Sequence, residues 1–282
     1  MRNIRFVETG TPEVIIEAGK GEKHYWRDIW RYRELLLFLS WRDLLIRYKQ
    51  TTLGLAWSWL KPLITMLVFT VVFGKLAKLP SGDTPYPIMV FTGLLPWLFF
   101  SNTTAEASNS LVANSHLISK VYFPRLIIPF ATIAVGIVDL LISSVLLVVL
   151  MAWYGHWPSW QVITLPYFLL LAAMTSAGVG LWLAALNVKY RDIRYIVPFA
   201  LQIGMYISPV GFSSSVIPEE WQLLFALNPM VSVIEGFRWS LLGGTAPLYG
   251  YGILGSFVFS TCLLITGVIY FRKTEKTFAD VI

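Results

Sequence analysis

Long apolar stretches separated by short polar ones run through most of the chain. A helix that crosses about 30 Å of hydrocarbon needs roughly 20 mostly apolar residues. Six stretches meet that length: 55–76, 86–105, 126–153, 163–186, 195–217 and 249–271. The third is long enough to tilt or to project from the bilayer. The pattern predicts an all-α membrane protein with six transmembrane helices. A cytoplasmic segment would cover 1–54, the spans 55–271, and a cytoplasmic tail 272–282.

Outside the spans the periodicity changes. In 24–50, Trp26, Trp30, Leu37, Trp41, Leu44 and Tyr48 draw one stripe along a helix, and Arg27, Arg31, Arg42 and Lys49 lie on another face. That is the pattern of an amphipathic helix lying in the membrane interface. The run LLLFL at 35–39 is apolar all round, which suggests two helical pieces, the second dipping deeper. The alternative is a core helix of a small cytoplasmic domain, and the first 54 residues offer little chain to bury it. Segment 106–125 is polar at first and reads as a short cytoplasmic helix, broken before Pro124. Residues 218–248 are half apolar and fit two short helices split at Asn228-Pro229, at or in the outer face.

Composition supports lipid as the surrounding medium. Apolar residues make up 56% of the 282 and charged residues 13%, with a mean hydropathy of +0.64; soluble domains carry about a quarter charged residues. The net charge of +6 is an orientation signal. With a cytoplasmic N-terminus, 18 Lys and Arg fall on the inner side, against Lys75, Lys78 and Arg238 outside, with Lys61 in the first span. Both ends are therefore expected in the cytoplasm. Residues 1–54 mix ten basic with seven acidic residues, which argues against a nucleic-acid-binding tail. The first 34 residues are polar, so the first span is expected to serve as its own uncleaved insertion signal. Cys262 has no partner for an intramolecular disulfide, and His24, His116 and His156 lack metal-site spacing.

Enzyme signatures are missing. The sequence contains no GxxxxGK[ST], HExxH, CxxC or GxSxG. Glu219 and Glu220 follow Pro218 and read as a solvated helix N-terminus favoured by the dipole. Asp139 lies near the centre of the third span, where an acid costs roughly 2.5–3.5 kcal/mol. No basic residue in another span stands at an obviously matching depth, so a hydrogen bond to Ser or Thr of a neighbouring helix is expected, with a place in a conduction path as the alternative. Ser176, Gly180 and Ala184 repeat every four positions, which lets helix backbones approach closely. Trp57, Trp59, Trp97, Trp153, Trp157 and Trp160 sit where interfacial belts form. In the fifth span, Tyr195, Phe199, Tyr206 and Phe212 offer either a packing surface or aromatic faces along which sugar rings could slide.

Six motifs in register then resemble one family. WRDLLIRYKQTTLGLAWSWLKPL (41–63), FTGLLPWLFFSN (91–102), KVYFPRLIIP (120–129), LNVKYRDIRYIVPFALQIGMYISPVGF (186–212), NPMVSVIEGFRWSLLGG (228–244) and FRKTEKTFADVI (271–282) are similar to the permease subunits of polysaccharide-exporting ABC transporters, O-antigen exporters most of all. The resemblance implies a homodimer in the bacterial inner membrane, docked on two copies of an ATPase that carries the ATP and Mg. The permease would hold no cofactor or catalytic site of its own. Its cargo would be a lipid-linked polysaccharide. The 24–38 piece would be an interface helix and 39–52 a gate-side helix; 106–120 would be the coupling helix, and 218–244 the pair closing the outer end.

By the same resemblance, Trp26, Arg27, Trp30, Arg31, Glu106, Asn109, Asn114, His116 and Lys120 would contact the ATPase. The first and fifth spans would line a channel through Trp57, Trp59, Phe69, Phe73, Tyr195, Phe199, Tyr206 and Phe212. QTTLG (50–54) would join the gate-side helix stiffly to the first span. Arg42, Arg47 and Lys49 are placed to meet a lipid diphosphate at the cytoplasmic side, although anchoring to anionic membrane lipids predicts the same charges. The loop NVKYRDIR (187–194) fixes topology or touches the ATPase or the diphosphate, with Asp192 expected to pair with Arg191 or Arg194. A permease for a smaller cargo, a membrane-embedded glycosyl- or acyltransferase and a structural anchor are the alternatives.

Overall fold

The computed structural model describes residues 25–49, 54–82, 84–244, 250–276 and 278, and among them the regular structure is helical. Helices α1 (Tyr25–Arg31) and α2 (Arg33–Lys49) precede α3 (Gly54–Phe69), which continues as a π-helical segment, Thr70–Leu76. There follow α4 (Tyr86–Ala113), the short α5 (Ser115–Lys120), α6 (Ile127–Trp153), α7 (Leu165–Lys189) and α8 (Ile193–Ile207). Helices α9 (Glu219–Ala226), α10 (Pro229–Leu241) and α11 (Gly250–Glu275) complete the order. The joint at 50–53 lies outside the described residues.

Five described helices are long and apolar enough to cross a membrane: Ala56–Leu76, Tyr86–Ala113, Ile127–Trp153, Trp160–Lys189 and Gly250–Glu275. The expected fifth span, 195–217, does not form one long helix. Helix α8 has 15 residues, about 22 Å at 1.5 Å per residue, which is short of the hydrocarbon thickness. It stops because Ser208 is extended and Pro209 cannot donate to a continuing ladder. The chain then turns through buried Val210 and Gly211 into a 3-10 turn, Ser214–Val216.

The second span departs in the other direction. Instead of ending near 105, α4 runs 28 residues, about 42 Å. Ala107, Ser108, Ser110 and Leu111 are buried in this extension, and no Gly or Pro interrupts 97–113. The helix closes at Asn114, whose side-chain amide donates to the carbonyl of Ser110 at 2.9 Å. The expected coupling helix 106–120 is thus divided: its first half belongs to the body of α4, and only Ser115–Lys120 stands apart as α5.

The N-terminal pair does separate into two pieces, with the break at Tyr32 rather than near 38–39. Trp26, Trp30, Leu37 and Trp41 of the apolar stripe are exposed, while Leu39 and Ser40 are buried on the opposite side. The Ser40 hydroxyl reaches the Ala131 carbonyl at 3.4 Å, and Tyr48 reaches Asp139 further along α6. Contacts advance along both helices in the same direction, so α2 runs parallel to the first half of α6.

Helix α7 forms the centre of the bundle. Its small-residue stripe, Ser176, Gly180 and Ala184, is buried, and a Cβ on Gly180 would come within 2.8 Å of Ala107 of α4. The face toward α11 is closer still. A Cβ on Gly178 would lie 2.7 Å from the backbone of Leu263 and Leu264, and one on Gly267 would lie 2.7 Å from the Gly178 carbonyl. Thr175 and Ser260 bridge the same pair of helices at 2.8 Å. Gly178→Leu is therefore expected to force α7 and α11 apart, at a cost of about 1–3 kcal/mol for overpacking. The thermal midpoint in lipid reads the loss, with Gly255→Leu, where nothing lies within 4 Å of an added Cβ, as the variant expected to behave like wild type.

Among the described residues two hydrophobic cores result. One joins Phe91, Leu94, Trp97, Phe168, Leu171, Ile234 and Phe237 from α4, α7 and α10. The other gathers Leu39, Leu111, Ile118, Leu126, Leu181 and Phe271 from α2, α4, α5, the start of α6, α7 and α11. Leu141, Val145, Val148 and Val149 of α6 are exposed, as are Leu60, Ile64 and Leu67 of α3 and Leu254, Val258 and Ile265 of α11. These are the surfaces acyl chains would cover.

Candidate functional site

The end of α2 is held by a charged cluster on α6 and α4. The Arg47 guanidinium donates to Asp139 with one nitrogen and to Glu106 with another. The Tyr48 hydroxyl donates to the other Asp139 oxygen, and Ser58 of α3 donates to Tyr48 at 3.3 Å. Burial and the hydrogen bond to Asp139 push the Tyr48 phenol up to about 12, so it remains a proton donor at neutral pH. One turn further, the Trp59 indole donates to the Ile142 carbonyl at 2.8 Å and the Ser143 hydroxyl to the Ser58 carbonyl at 3.4 Å. A cavity of about 320 Å³ opens beside this cluster, lined among others by Arg47, Tyr48, Lys61, Asn102, Thr103 and Asp139.

Asp139 thus finds its partners outside the spans, where the sequence suggested a Ser or Thr on a neighbouring helix. Helix α6 has 27 residues, about 40 Å, and its exposed apolar side chains begin only at Leu141. Asp139 therefore sits just before the exposed apolar stretch of α6, beside the end of α2. Thr103, also on this cavity, is buried with no partner for its hydroxyl among the described residues.

At the opposite end, Arg238 of α10 is 2% exposed. Its Nη1 donates to the Phe212 carbonyl at 2.8 Å, its Nη2 to the Val210 carbonyl at 2.8 Å, and its Nε to the Met89 carbonyl at 3.2 Å. Glu235, one turn earlier, lies 3.3 Å from Arg238 and accepts from the Ser214 amide at 2.9 Å and hydroxyl at 2.5 Å. Arg238 and Glu235 together fix the turn after α8 onto α10 and α4. The Tyr86 hydroxyl adds a bond to the Gly211 carbonyl, and the Asn228 side chain caps α10 by accepting from Met230 at 3.0 Å.

The aromatic residues expected along a path divide into two groups. Tyr195, Phe199 and Tyr206 of α8 and Trp57 and Trp59 of α3 are exposed. Phe69 is buried, tilted against Phe73 at 5.2 Å and stacked on Tyr206 at 6.3 Å. Phe212 lies 6.3 Å from Phe225 of α9.

The residues expected to meet a partner also divide. Trp26, Arg27, Trp30 and Arg31 of α1 and His116 and Lys120 of α5 are exposed. Glu106 faces Arg47; Asn109 accepts from buried Asn187 at 3.0 Å, and Asn114 from Arg42 at 2.9 Å. Arg42 also pairs with Asp43 at 2.7 Å, and Lys49 is exposed. Asp192, expected to pair with Arg191 or Arg194, makes neither bridge among the described residues. It precedes α8 without a side-chain cap. Among the described residues no three His, Cys, Asp or Glu side chains gather into a metal site.

Residues 34–242 match the model of the ABC-2 type transporter family. The O-antigen export system permease protein RfbA of Myxococcus xanthus is 32% identical over 214 residues, covering 75% of this chain and 82% of that protein. A protein of the same name from Klebsiella pneumoniae is 27% identical over 88% of this chain and 95% of its own length. The polysialic acid transport protein KpsM of Escherichia coli is 25% identical over 85% and 92%.

Proposed function

This chain belongs to the ABC-2 type transporter family, and from that premise we propose that it is the channel-forming subunit of a polysaccharide exporter. The match to RfbA and KpsM proteins across most of the chain carries the reading. The chain works as a homodimer in the inner membrane, with both termini in the cytoplasm. Two copies of a separate ATPase bind and hydrolyse ATP with Mg. The cargo is a lipid-linked polymer of the O-antigen kind, moved from the cytoplasmic side outward.

Several features support the parts of this reading. Helices α3 and α8 leave Trp57, Trp59, Tyr195, Phe199 and Tyr206 uncovered in the single chain. Aromatic faces hold sugar rings through C–H contacts without fixed hydrogen bonds, which suits a polymer that must slide. The exposed Trp26, Arg27, Trp30 and Arg31 with His116 and Lys120 form the surface for the ATPase. Motion imposed there reaches α3 through α2 and the Arg47 cluster, because a helix tied at its end to α6 and α4 moves its successor with it. Arg42, Arg47 and Lys49 form the cationic entrance for the lipid diphosphate, where phosphate would take the place of a carboxylate partner.

The test is export in a strain that lacks this chain while polymer synthesis continues. Polymer retained inside the cell, and restored to the surface by the wild-type gene, is the expected result. Loss of polymer synthesis altogether would point to an enzyme and sink the proposal. Co-purification from lipid of an ATPase encoded beside the chain tests the assembly. Replacing 115–120 with a Gly/Ser linker is expected to abolish polymer-coupled hydrolysis while leaving the spans folded.

A further inference from the structure

The last residues of α11 form the meeting point of the cytoplasmic elements. One Glu275 carboxylate oxygen accepts from the Tyr25 hydroxyl of α1 at 2.9 Å. The other accepts from the backbone amide of Arg125 at 2.9 Å, in the elbow that leads from α5 into α6. The Arg125 guanidinium donates back to the Glu275 carbonyl. Arg272 lies over the Tyr25 ring at 4.5 Å and Arg125 over the Phe278 ring at 6.0 Å.

Apolar packing closes the same point. Phe271 and Phe278 meet edge to face at 5.3 Å and are 0% and 1% exposed. They belong to the core that also holds Leu39 of α2, Leu111 of α4, Ile118 of α5, Leu126 and Ile127 at the α6 elbow, and Leu181 of α7. The stretch that reads as a charged tail therefore supplies Phe278, one of the two most buried rings at this end. Burial and the Glu275 carboxylate push the Tyr25 phenol up from its ordinary value, so it stays a donor throughout the physiological range.

We propose that Arg272, Glu275 and Phe278 form a clasp that locks the interface helix α1 and the α5–α6 elbow into one rigid block. Glu275 is its positioning residue. The inference rests on the reading that α1 and α5 receive the stroke of an ATPase, and it names what keeps those two receivers in fixed relation. Without the clasp, α1 keeps little among the described residues beyond the packing of Ile29 on this core and the break at Tyr32 that leads into α2. Its seven residues bury none of their own side chains fully, too little to order a helix of that length alone.

Two readouts separate the clasp from the transport reading. The first is amide hydrogen exchange of the full chain in lipid, which needs no partner or cargo. Glu275→Gln and Tyr25→Phe are expected to speed exchange in α1 by about tenfold or more while α10 stays as in wild type, since local opening is set by the contacts that close it. Tyr25→Phe keeps the ring beneath Arg272 and removes only the hydroxyl, so it remains informative if Glu275 variants fold poorly. Unchanged exchange in α1 for Tyr25→Phe overturns the clasp, whatever the chain transports.

The second is polymer exported per ATP hydrolysed in reconstituted vesicles containing the ATPase. That ratio is expected to fall at least about threefold in Glu275→Gln, with the ATPase still bound. A ratio equal to wild type overturns the positioning role. Parallel loss of export and ATPase binding, with the ratio unaltered, overturns it as well, because the clasp would then serve only stability. Absence of export from the wild-type chain, with α1 exchange still responding, removes the transport reading and leaves the clasp standing.

Discussion

Arg238→Ala is expected to lower the stability of the folded chain by about 3–5 kcal/mol, the cost of leaving a buried charge and its acceptors unpaired. The Arg238 guanidinium serves the carbonyls of Met89, Val210 and Phe212 as well as Glu235. The Met89 and Val210 carbonyls gain no access to water when the side chain shrinks, because both residues are themselves buried. Arg238→Lys should recover little, since one ammonium cannot span three carbonyls arranged for a planar fork. Glu235→Gln should be milder, as the side-chain carbonyl still accepts from Ser214. The thermal midpoint in lipid measures all three, and an Arg238→Ala midpoint equal to wild type would show that the turn after α8 is held by something else.

The same site limits the neighbouring helix. A Cβ on Gly93 would lie 2.8 Å from an Arg238 nitrogen, so α4 can pass the guanidinium only with glycine there. The turn that ends α8 and helix α10 are thus both bound to α4. Any displacement of that turn from α4 must break the Arg238 bonds.

How far the sequence reaches can be judged on particular elements. Hydrophobic runs located α3, α4, α6, α7 and α11, because lipid exposure demands long apolar helices wherever the chain crosses. They overstated α8, where SPVGF continues the apolar run after Pro209 has ended the helix. They divided α4 at the first polar residues, although Glu106, Asn109 and Asn114 make contacts with α2 and α7. Hydropathy reports the transfer cost of a side chain and carries no sign of its partner. The three polar constellations were hidden for the same reason. Arg47 and Asp139 are 92 positions apart, and Tyr25 and Glu275 are 250 apart. Glu235 and Arg238 were closer to view: two opposite charges three apart in a half-apolar helix are the pattern of a buried pair. The family resemblance came from motifs, and it placed the chain correctly without revealing any of these bonds.

Arg47→Ala is expected to reduce export by about tenfold or more while the chain still reaches the membrane. Its two bridges are partly exposed, with Arg47 side-chain exposure at 32%, so screening holds their joint contribution to stability to about 1–2 kcal/mol. The larger effect is mechanical and electrostatic. Asp139 and Glu106 would face each other uncompensated at the end of α2, and α2 would lose its tie to α6 and α4. Two explanations of a loss of export must then be told apart, because Arg47 also stands in the proposed diphosphate entrance. Adding Asp139→Asn and Glu106→Gln to Arg47→Ala removes the repulsion without restoring a cation. Recovery of export in the triple variant would mean that Arg47 acts by neutralising the two acids. Continued loss, with α2 exchange as slow as in wild type, would mean that the guanidinium itself meets the phosphates. Export by Arg47→Ala at the wild-type level would remove both roles and leave α3 to be driven from elsewhere.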